Sequence, residues 1–241
     1  MIELLQGDWR TALAHVEMVD HLLPDPPYGT RAHAGHDDGA EQVLSATGQK
    51  TRRSLDYWFL TPDDVAEFVA SWAPRARGWF CAMTSHDLIP AYEAAYKAAG
   101  RYSFAPVPIF QKRPRLLGDG PANWTIYLMV SRPRNVEFSR WGCLPGHYES
   151  HCERDAPVVG AKPVSLLRQI VRDYSRANDL VCDPFSGGGS TLIAAKLEGR
   201  RAIGAELDPK THAKAVDRLN GVHPMTLHGQ PGLFDGGRDA G

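Results

Sequence analysis

An acidic residue followed by two prolines and a tyrosine, Asp25-Pro26-Pro27-Tyr28, ends an apolar run that spans residues 18–24. We expect this run to form a short buried strand that stops at the prolines, because proline fixes the backbone and cannot donate to a sheet. The Asp25 carboxylate and the backbone carbonyls are then acceptors without a local donor, and Tyr28 adds an aromatic face beside them. This combination suits a planar group that carries an amine, such as a nucleobase. An ordinary strand-to-turn corner explains the same four residues equally well.

A second candidate site follows the apolar residues 179–182 and has the sequence Asp183-Pro184-Phe185-Ser186-Gly187-Gly188-Gly189-Ser190-Thr191. It precedes a helical stretch, residues 192–198, and a second strand, residues 201–205, that ends at Glu206. A strand, a glycine loop and a helix let the backbone approach a nucleoside-bearing ligand closely, and an acid roughly 20 positions beyond the glycines usually holds a ribose diol. The G-x-G-x-x-G spacing is absent and a proline follows Asp183, which favours S-adenosylmethionine (SAM) over NAD.

Together these motifs resemble those of the amino-methylating DNA methyltransferases, more specifically the permuted class in which D-P-P-Y precedes the SAM loop. The loop matches the family pattern D-P-F-x-G-[SG]-G-[ST]-T, and Ala161-Lys162-Pro163 with the helical residues 166–171 resembles the motif just upstream of it. Gly7-Asp8 resembles the end of the family's opening strand, whose acid faces the adenine of the cofactor. The resemblance covers residues 1–220. It implies catalytic roles for Asp25, Pro26, Pro27 and Tyr28, and SAM contacts from Asp8, Lys162, Asp183, Phe185, Gly187, Gly188, Gly189, Ser190, Thr191 and Glu206.

The activity that the resemblance implies is site-specific methylation of DNA at the exocyclic N6 amine of a flipped-out adenine. N4-cytosine methylation uses the same chemistry and is the alternative, since in this family a leading Asp leans toward adenine and a leading Ser toward cytosine. Two further interpretations are a protein-amide methyltransferase, whose family has Asn in place of Asp25, and a DNA-binding protein with an inactive site. The sequence does not give the recognition sequence or the oligomeric state, which could be a homodimer. It also does not show whether a restriction enzyme accompanies this protein in a restriction-modification pair.

Composition agrees with a DNA enzyme only if its basic residues are localised, because the 241-residue chain has a net charge of −1. Its length suffices for one domain with a full core. Four cysteines without a signal peptide favour the reducing cytoplasm, and no apolar run approaches the roughly 18 residues that span a membrane. The basic residues cluster around position 50 and between Arg101 and Arg140. The residues predicted to contact DNA phosphates are Lys50, Arg52, Arg53, Lys112, Arg113, Arg115, Arg132 and Arg134.

Alternating strand and helix patterns predict an α/β protein with a Rossmann-like methyltransferase fold, in which a mostly parallel twisted sheet has helices on both faces. Thr61-Pro62-Asp63-Asp64 has the pattern of a helix start, and residues 103–110 and 125–130 predict a late antiparallel hairpin. We expect a methyltransferase domain over residues 1–222. Within it, residues 29–55 form an active-site loop that closes over the base or SAM, and residues 135–160 form a short target-recognition segment.

That segment contains four soft potential ligands, but they lack the paired C-x-x-C spacing of a zinc site, so no metal is predicted. They are Cys143, His147, His151 and Cys152.

Residues 223–241 have the composition of a flexible C-terminal tail, which contains the sequence Gln230-Pro231-Gly232-Leu233-Phe234. This sequence resembles the Q-x-x-L-F peptide by which bacterial replication proteins dock on the sliding clamp. The glutamine would be held by hydrogen bonds, and Leu233 and Phe234 would fill an apolar pocket. The alternative is that Leu233 and Phe234 fold back onto the domain's own surface.

Overall fold

The computed structural model describes residues 1–29, 59–111, 125–134, 141–151 and 161–222. The elements in these residues are β1 (Ile2–Gln6), α1 (Trp9–Ala12), β2 (His21–Leu22), α2 (Pro62–Trp72), β3 (Phe80–Thr84), a 3₁₀ turn (His86–Leu88), α3 (Ile89–Ala98), β4 (Arg101–Ser103), β5 (Val107–Gln111), β6 (Thr125–Pro133), β7 (Tyr148–Ser150), α4 (Val164–Tyr174), β8 (Leu180–Asp183), α5 (Ser190–Leu197), β9 (Arg201–Glu206) and α6 (Pro209–Gly221).

One sheet collects all nine of these strands, in the order β1-β9-β8-β2-β3-β6-β5-β7, with β4 also paired to β6. The first five strands in this order are parallel, whereas β6 is antiparallel to β3, β4 and β5. The short strand β7 is parallel to β5. The predicted Rossmann-like sheet with a late antiparallel hairpin is therefore confirmed.

Each face of the sheet is covered by a separate helical layer, as the alternation of side chains in β3 shows. Phe80 and Ala82 point into a core formed with α1, α2 and α3, whereas Cys81 and Met83 point into a core formed with α4, α5 and α6. Because successive residues of a strand face opposite sides, a strand with both faces covered is apolar throughout. This explains why β3 is a continuous buried run and not an alternating one.

Local sequence signals set the ends of several helices. Thr61 and Asp64 form a capping box at the start of α2, in which each side chain bonds the other residue's backbone N–H. Asp208 caps α6 through the backbone N–H of Thr211. Gly100 follows the end of α3 and has a φ of +68°, a conformation that glycine adopts at little cost. No helix in the described residues is long and apolar enough to cross a membrane.

Tertiary contacts changed three details of the expected elements. Strand β2 is only two residues long, although its neighbours Val19 and Leu23 are also buried. The strand expected over residues 103–110 is divided into β4 and β5, which both lie along β6. Strand β7 lies within residues 135–160, for which no strand was expected, and it forms because β5 offers an open edge for pairing.

Candidate functional site

The two candidate motifs meet at one edge of the sheet because β2 and β8 are neighbours. His21 and Leu22 pair in parallel with Val181 and Cys182, and the N–H of Leu23 donates to the carbonyl of Cys182 at 2.9 Å. The chain leaves β2 through Asp25 and leaves β8 through Asp183, so both motifs follow the carboxyl ends of adjacent parallel strands. Strand β8 continues toward β9 and strand β2 toward β3, which makes this the point where the strand order reverses. Open α/β sheets bind their ligands at such a point.

Backbone hydrogen bonds hold the Asp25–Tyr28 segment in place. The carbonyl of Pro24 accepts from the N–H of Met83 at 3.0 Å, and the carbonyl of Tyr28 accepts from the N–H of Leu60 at 3.2 Å. Gly29 lies so close to the Asp87 carboxylate that a side chain at this position would collide with it. Within the described part of the chain, the carbonyl of Pro26 accepts no hydrogen bond. The segment is therefore anchored on both sides of an available acceptor.

The Asp25 carboxylate forms an ion pair with Lys162. The Lys162 Nζ lies 2.9 Å from Asp25 Oδ1 and 2.8 Å from Oδ2, and the Tyr28 hydroxyl donates to Oδ1 at 3.2 Å. The ammonium also lies 4.8 Å from the centre of the Tyr28 ring. The side chains of Lys162 and Asp25 are 12% and 19% exposed, so solvent screens this pair only weakly. Burial, followed by the charge of Asp25 and its hydrogen bond, raises the pKa of Tyr28 and keeps it a donor.

The glycine loop between β8 and α5 packs tightly against β9. Gly187 and Gly189 have φ values of +50° and +77°, a region that favours glycine. The N–H of Ser186 donates to the carbonyl of Ala205 at 2.9 Å, and its hydroxyl donates to the carbonyl of Asp183 at 2.8 Å. A side chain at Gly204 would collide with this hydroxyl. The loop thus brings its backbone to the same sheet edge as Asp25.

Asp183 connects the glycine loop with the catalytic motif. Its carboxylate accepts from the backbone N–H of Phe185 at 3.0 Å, and the Thr191 hydroxyl and the backbone N–H of Asp25 face it and favour its ionised form. Burial raises the pKa of Asp183 to about 7 against these hydrogen bonds, and the nearby charge of Asp25 adds to the rise. Asp183 is 1% exposed. Its ionisation is therefore linked to both halves of the site.

Glu206 and Asp8 end the neighbouring strands β9 and β1 on the same edge. Glu206 accepts from the N–H groups of Gly187 and Asp208, at 2.8 Å each, and burial raises its pKa. Asp8 is the N-cap of α1 and accepts from the N–H of Arg10 at 2.8 Å. Each carboxylate organises its own loop, and both lie along one side of the glycine loop.

An aromatic wall adjoins this side of the loop. The ring of Phe185 lies 5.0 Å from that of Phe68 and 6.4 Å from that of Trp9, measured between ring centres. Phe185 stays partly exposed, whereas Phe68 and Trp9 are buried beneath it. The exposed part of Phe185 offers an apolar surface to a planar ligand.

Sequence reasoning missed two buried hydroxyls beneath the sheet edge that carries Asp25. Within the described residues, Thr84 Oγ1 and Tyr92 OH have no hydrogen-bond partner. Burial, and then the charges of Tyr28 and Asp25, raise the pKa of Tyr92, which places its ring near the catalytic motif. No local pattern distinguishes these residues from ordinary core positions. The role of Gly204, also missed, had a signal, since a glycine inside a strand often marks close backbone approach.

The predicted phosphate contacts fall into two groups. Lys50, Arg52, Arg53, Lys112, Arg113 and Arg115 lie outside the described residues. The described residues on either side of them lie at the edge that carries Asp25. They are Tyr28 and Leu60 for the residues around position 50, and Gln111 and Thr125 for Lys112, Arg113 and Arg115.

Arg132 and Arg134 lie elsewhere. Strand β6 is antiparallel to β3, so Ser131 pairs with Phe80 at the end of the sheet opposite the edge that carries Asp25. There the guanidinium groups of Arg132 and Arg134 stack on the exposed Tyr102, at 5.1 and 5.7 Å from its ring centre. Arg101, from the same basic stretch, is only 3% exposed and donates to the carbonyls of Ala73, Ala76, Gly78 and Ser131. Arg101, which bounds the basic stretch but is not among the predicted phosphate contacts, uses its charge inside the fold.

The potential soft ligands are only partly visible. Cys143, His147 and His151 are exposed, and Cys152 lies outside the described residues. Among the residues that the structure describes, no three His, Cys, Asp or Glu side chains form a group that could hold a metal ion.

Comparison with known proteins places this architecture in a family. Residues 125–217 match the family model described as DNA methylase of the N6/N4 type. The protein named "Putative methylase YubD" from Escherichia coli (strain K12) is 43% identical over 242 residues, covering 95% of each chain. The type II methyltransferase M.HinfI of Haemophilus influenzae is 43% identical over 63 residues, which are 26% of this chain and 18% of that protein.

Two solved structures share the fold at low sequence identity. The M1.HpyAVI–SAM complex has a TM-score of 0.66 at 18% identity and covers 91% of this chain and 100% of that one. The cytosine-N4-specific PvuII DNA methyltransferase has a TM-score of 0.64 at 14% identity, over 93% of this chain and 89% of that one. Since the similarity to YubD extends over nearly the whole of both chains and the family model matches the same sequence, this protein belongs to the family of amino-methylating N6/N4 DNA methyltransferases.

Proposed function

We propose that this protein transfers the methyl group of SAM to the N6 amine of an adenine turned out of the DNA helix. The observation that carries the proposal is the position of two acceptors, the Asp25 carboxylate and the Pro26 carbonyl, beside the glycine loop at the strand-order reversal. A flipped base presents its exocyclic amine to such acceptors, and Tyr28 offers the aromatic face on which the base stacks.

The residues around the glycine loop fit SAM. Gly187, Gly188 and Gly189 leave room for close approach of the nucleoside, Glu206 and Asp8 offer carboxylates along one side, and Phe185 offers an apolar face. Ser190 and Thr191 lie at the start of α5, where the backbone N–H groups of the first turn point outward, and Asp183 ends β8 on the other side of the loop. When bound, SAM supplies an electrophilic methyl group on a positively charged sulfur.

The residues of this chain prepare the amine for that methyl group. The amine's lone pair is delocalised into the base ring, and two acceptors in the plane of the base favour a pyramidal amine whose lone pair points away from the ring. As positive charge develops on the amine nitrogen, the Asp25 carboxylate stabilises it. The remaining rate acceleration comes from holding the amine and the methyl group of SAM in line at the sheet edge.

N4-cytosine methylation is the second candidate. Cytosine carries the same type of amine, and one structural neighbour, the PvuII enzyme, is described as cytosine-N4-specific. We place adenine first because the motif begins with Asp25 and not with serine, which in the family that this chain resembles leans toward adenine.

We further propose that residues 1–222 form the methyltransferase domain, that residues 29–55 close over the bound base or SAM, and that residues 135–160 read the DNA target. The phosphate contacts proposed are Lys50, Arg52, Arg53, Lys112, Arg113 and Arg115, while Arg132 and Arg134 are left out because they lie at the far end of the sheet. Neutralising each contact should lower the slope of log affinity against log salt by roughly 1. An unchanged slope for all six would move the DNA to another surface.

The tail, residues 223–241, is proposed to dock on the sliding clamp through Gln230–Phe234, which would raise the enzyme's concentration on newly copied DNA. This function belongs in the cytoplasm, with the chromosome. Pull-down of purified clamp by the intact protein, but not by a Leu233→Ala/Phe234→Ala variant, is the expected result. No binding by the intact protein would end this part of the proposal.

The central test is direct. The protein is incubated with SAM labelled in its methyl group and with DNA of mixed sequence, and the DNA is digested to nucleosides. Label in N6-methyladenine supports the proposal, and label in N4-methylcytosine supports the second candidate. No label in DNA, with SAM bound, would contradict both.

A further inference from the structure

The contacts of Lys162 indicate a role other than the SAM contact that its sequence motif implies. Its ammonium lies against both oxygens of Asp25 and over the Tyr28 ring, at 2.9, 2.8 and 4.8 Å. These are the two residues proposed to receive the base. Lys162 is therefore in the part of the site where the target amine has to arrive.

Asp25 and Lys162 together present an acceptor next to a donor. Oδ2 and Nζ are 2.8 Å apart, and Nζ lies over the ring of Tyr28. The complementary group is an amine attached to a carbon that also carries an unprotonated ring nitrogen. Adenine has this pattern at N6 and N1, and cytosine has it at N4 and N3. Guanine has it only at N2 and N3, on a different edge of the ring, and thymine has no exocyclic amine.

We propose that Lys162 donates a hydrogen bond to the ring nitrogen next to the target amine, N1 of adenine, and so fixes the orientation in which the base enters. The inference rests on the proposed function, because it requires that a base occupies this site. An ammonium has three protons and no acceptor, so it can only serve a ring nitrogen that is unprotonated. The pair thereby excludes thymine and directs the amine of the bound base to Asp25.

The contacts in the structure allow this exchange at small cost. Asp25 Oδ1 receives the Tyr28 hydroxyl at 3.2 Å as well as Lys162, so it keeps a partner when the ammonium turns toward the base. The bond to Oδ2 at 2.8 Å holds Lys162 beside the carboxylate during the exchange. The base then replaces one hydrogen bond of Lys162 with another, and no buried charge loses its counter-ion.

The contribution should appear in base binding more than in the chemical step. A donor on the ring nitrogen withdraws electron density from the neighbouring amine, which does not help that amine attack a methyl group. Lys162→Met should therefore raise KM for DNA more than it lowers kcat. A hydrogen bond from a charged donor corresponds to roughly 10- to 100-fold in kcat/KM.

The test uses unmethylated DNA oligonucleotides that contain the site the enzyme methylates, with adenine, 1-deazaadenine or 7-deazaadenine at the target position. The first analogue lacks the ring nitrogen that Lys162 is proposed to contact, and the second lacks a nitrogen on the other edge. Wild-type enzyme should lose roughly 10- to 100-fold in kcat/KM on 1-deazaadenine and much less on 7-deazaadenine. Lys162→Met should have the same kcat/KM on 1-deazaadenine as on adenine. Lys162→Arg, which keeps the charge, should still lose part of its kcat/KM on 1-deazaadenine. Circular dichroism checks that the variants are folded.

Two results would overturn the inference. One is an equal 1-deazaadenine penalty in wild type and Lys162→Met. The other is a variant whose main defect is weakened SAM binding in calorimetry, which would return Lys162 to the cofactor. Failure of the proposed function is distinguishable, because it appears in the wild type as label on cytosine or no label at all. If cytosine is the target, the same comparison is made with 3-deazacytosine.

Discussion

Replacing Asp25 should separate catalysis from cofactor binding in this protein. The Asp25 side chain bonds Lys162 and Tyr28, whereas its backbone N–H faces Asp183 before the glycine loop, and its charge contributes to the raised pKa of Asp183. Asp25→Ala removes the carboxylate and keeps that N–H. We therefore expect methyl transfer to be nearly abolished while SAM affinity stays close to that of the wild type.

The size of the effect follows from what the carboxylate does. It is held in place with both oxygens bonded, so in the proposed reaction it would stabilise charge on the amine without first having to reorganise. Losing one preorganised group of this kind typically costs on the order of 100- to 1,000-fold in kcat. Asp25→Asn is the matched control, because it keeps the shape and one acceptor oxygen but loses the charge. Its rate should lie between those of the wild type and Asp25→Ala.

The assay is transfer of labelled methyl groups to DNA under single-turnover conditions, with SAM affinity measured by calorimetry on the same preparations. Near-normal turnover by Asp25→Ala would refute the assignment of the catalytic motif. Loss of SAM binding equal to the loss of rate would instead show that Asp25 supports the cofactor site.

Three further predictions concern the rest of the molecule. Glu206→Ala should weaken SAM binding by about 1.5–3 kcal/mol in calorimetry, because the carboxylate both orders Gly187 and offers a charged acceptor; unchanged affinity would mean that the ribose site is misplaced. Arg101→Met should lower the free energy of unfolding in urea by about 3–5 kcal/mol, since it leaves several buried carbonyls unpaired, whereas Arg132→Met at the exposed end of β6 should cost less than about 1 kcal/mol. An equal effect of the two would contradict the structural role of Arg101. The folded-state pKa of Asp183, about 7, lies above its ordinary value of 3.8. The stability that its protonated carboxyl contributes is therefore fully present below pH 3.8 and is lost as pH rises through about 7. The free energy of unfolding of the wild type, relative to Asp183→Asn, should thus fall by up to about 4 kcal/mol between pH 4 and 7, and a flat difference in denaturation experiments would argue against a buried, titrating Asp183.

The sequence by itself determined the features that depend on short stretches of chain. The cap of Thr61, the left-handed glycines Gly187 and Gly189, and the apolar run of β3 each follow from conformational limits and hydrogen bonds within a few residues. The two motifs were also recognisable in this way, because their chemistry is carried by adjacent residues. Their order along the chain was enough to indicate the family.

Only the tertiary structure decided which of these features lie together. The pairing of β2 with β8 brings Asp25 to Asp183, and no local pattern specifies which distant strands become neighbours. The same is true of charge. Lys162, Arg101 and Arg132 look alike in the sequence, yet the first pairs with Asp25, the second is buried against carbonyls and the third stacks on an exposed tyrosine. The physical reason is that the use of a charge is set by its solvent exposure and by partners far away in sequence, which exist only once the sheet has formed.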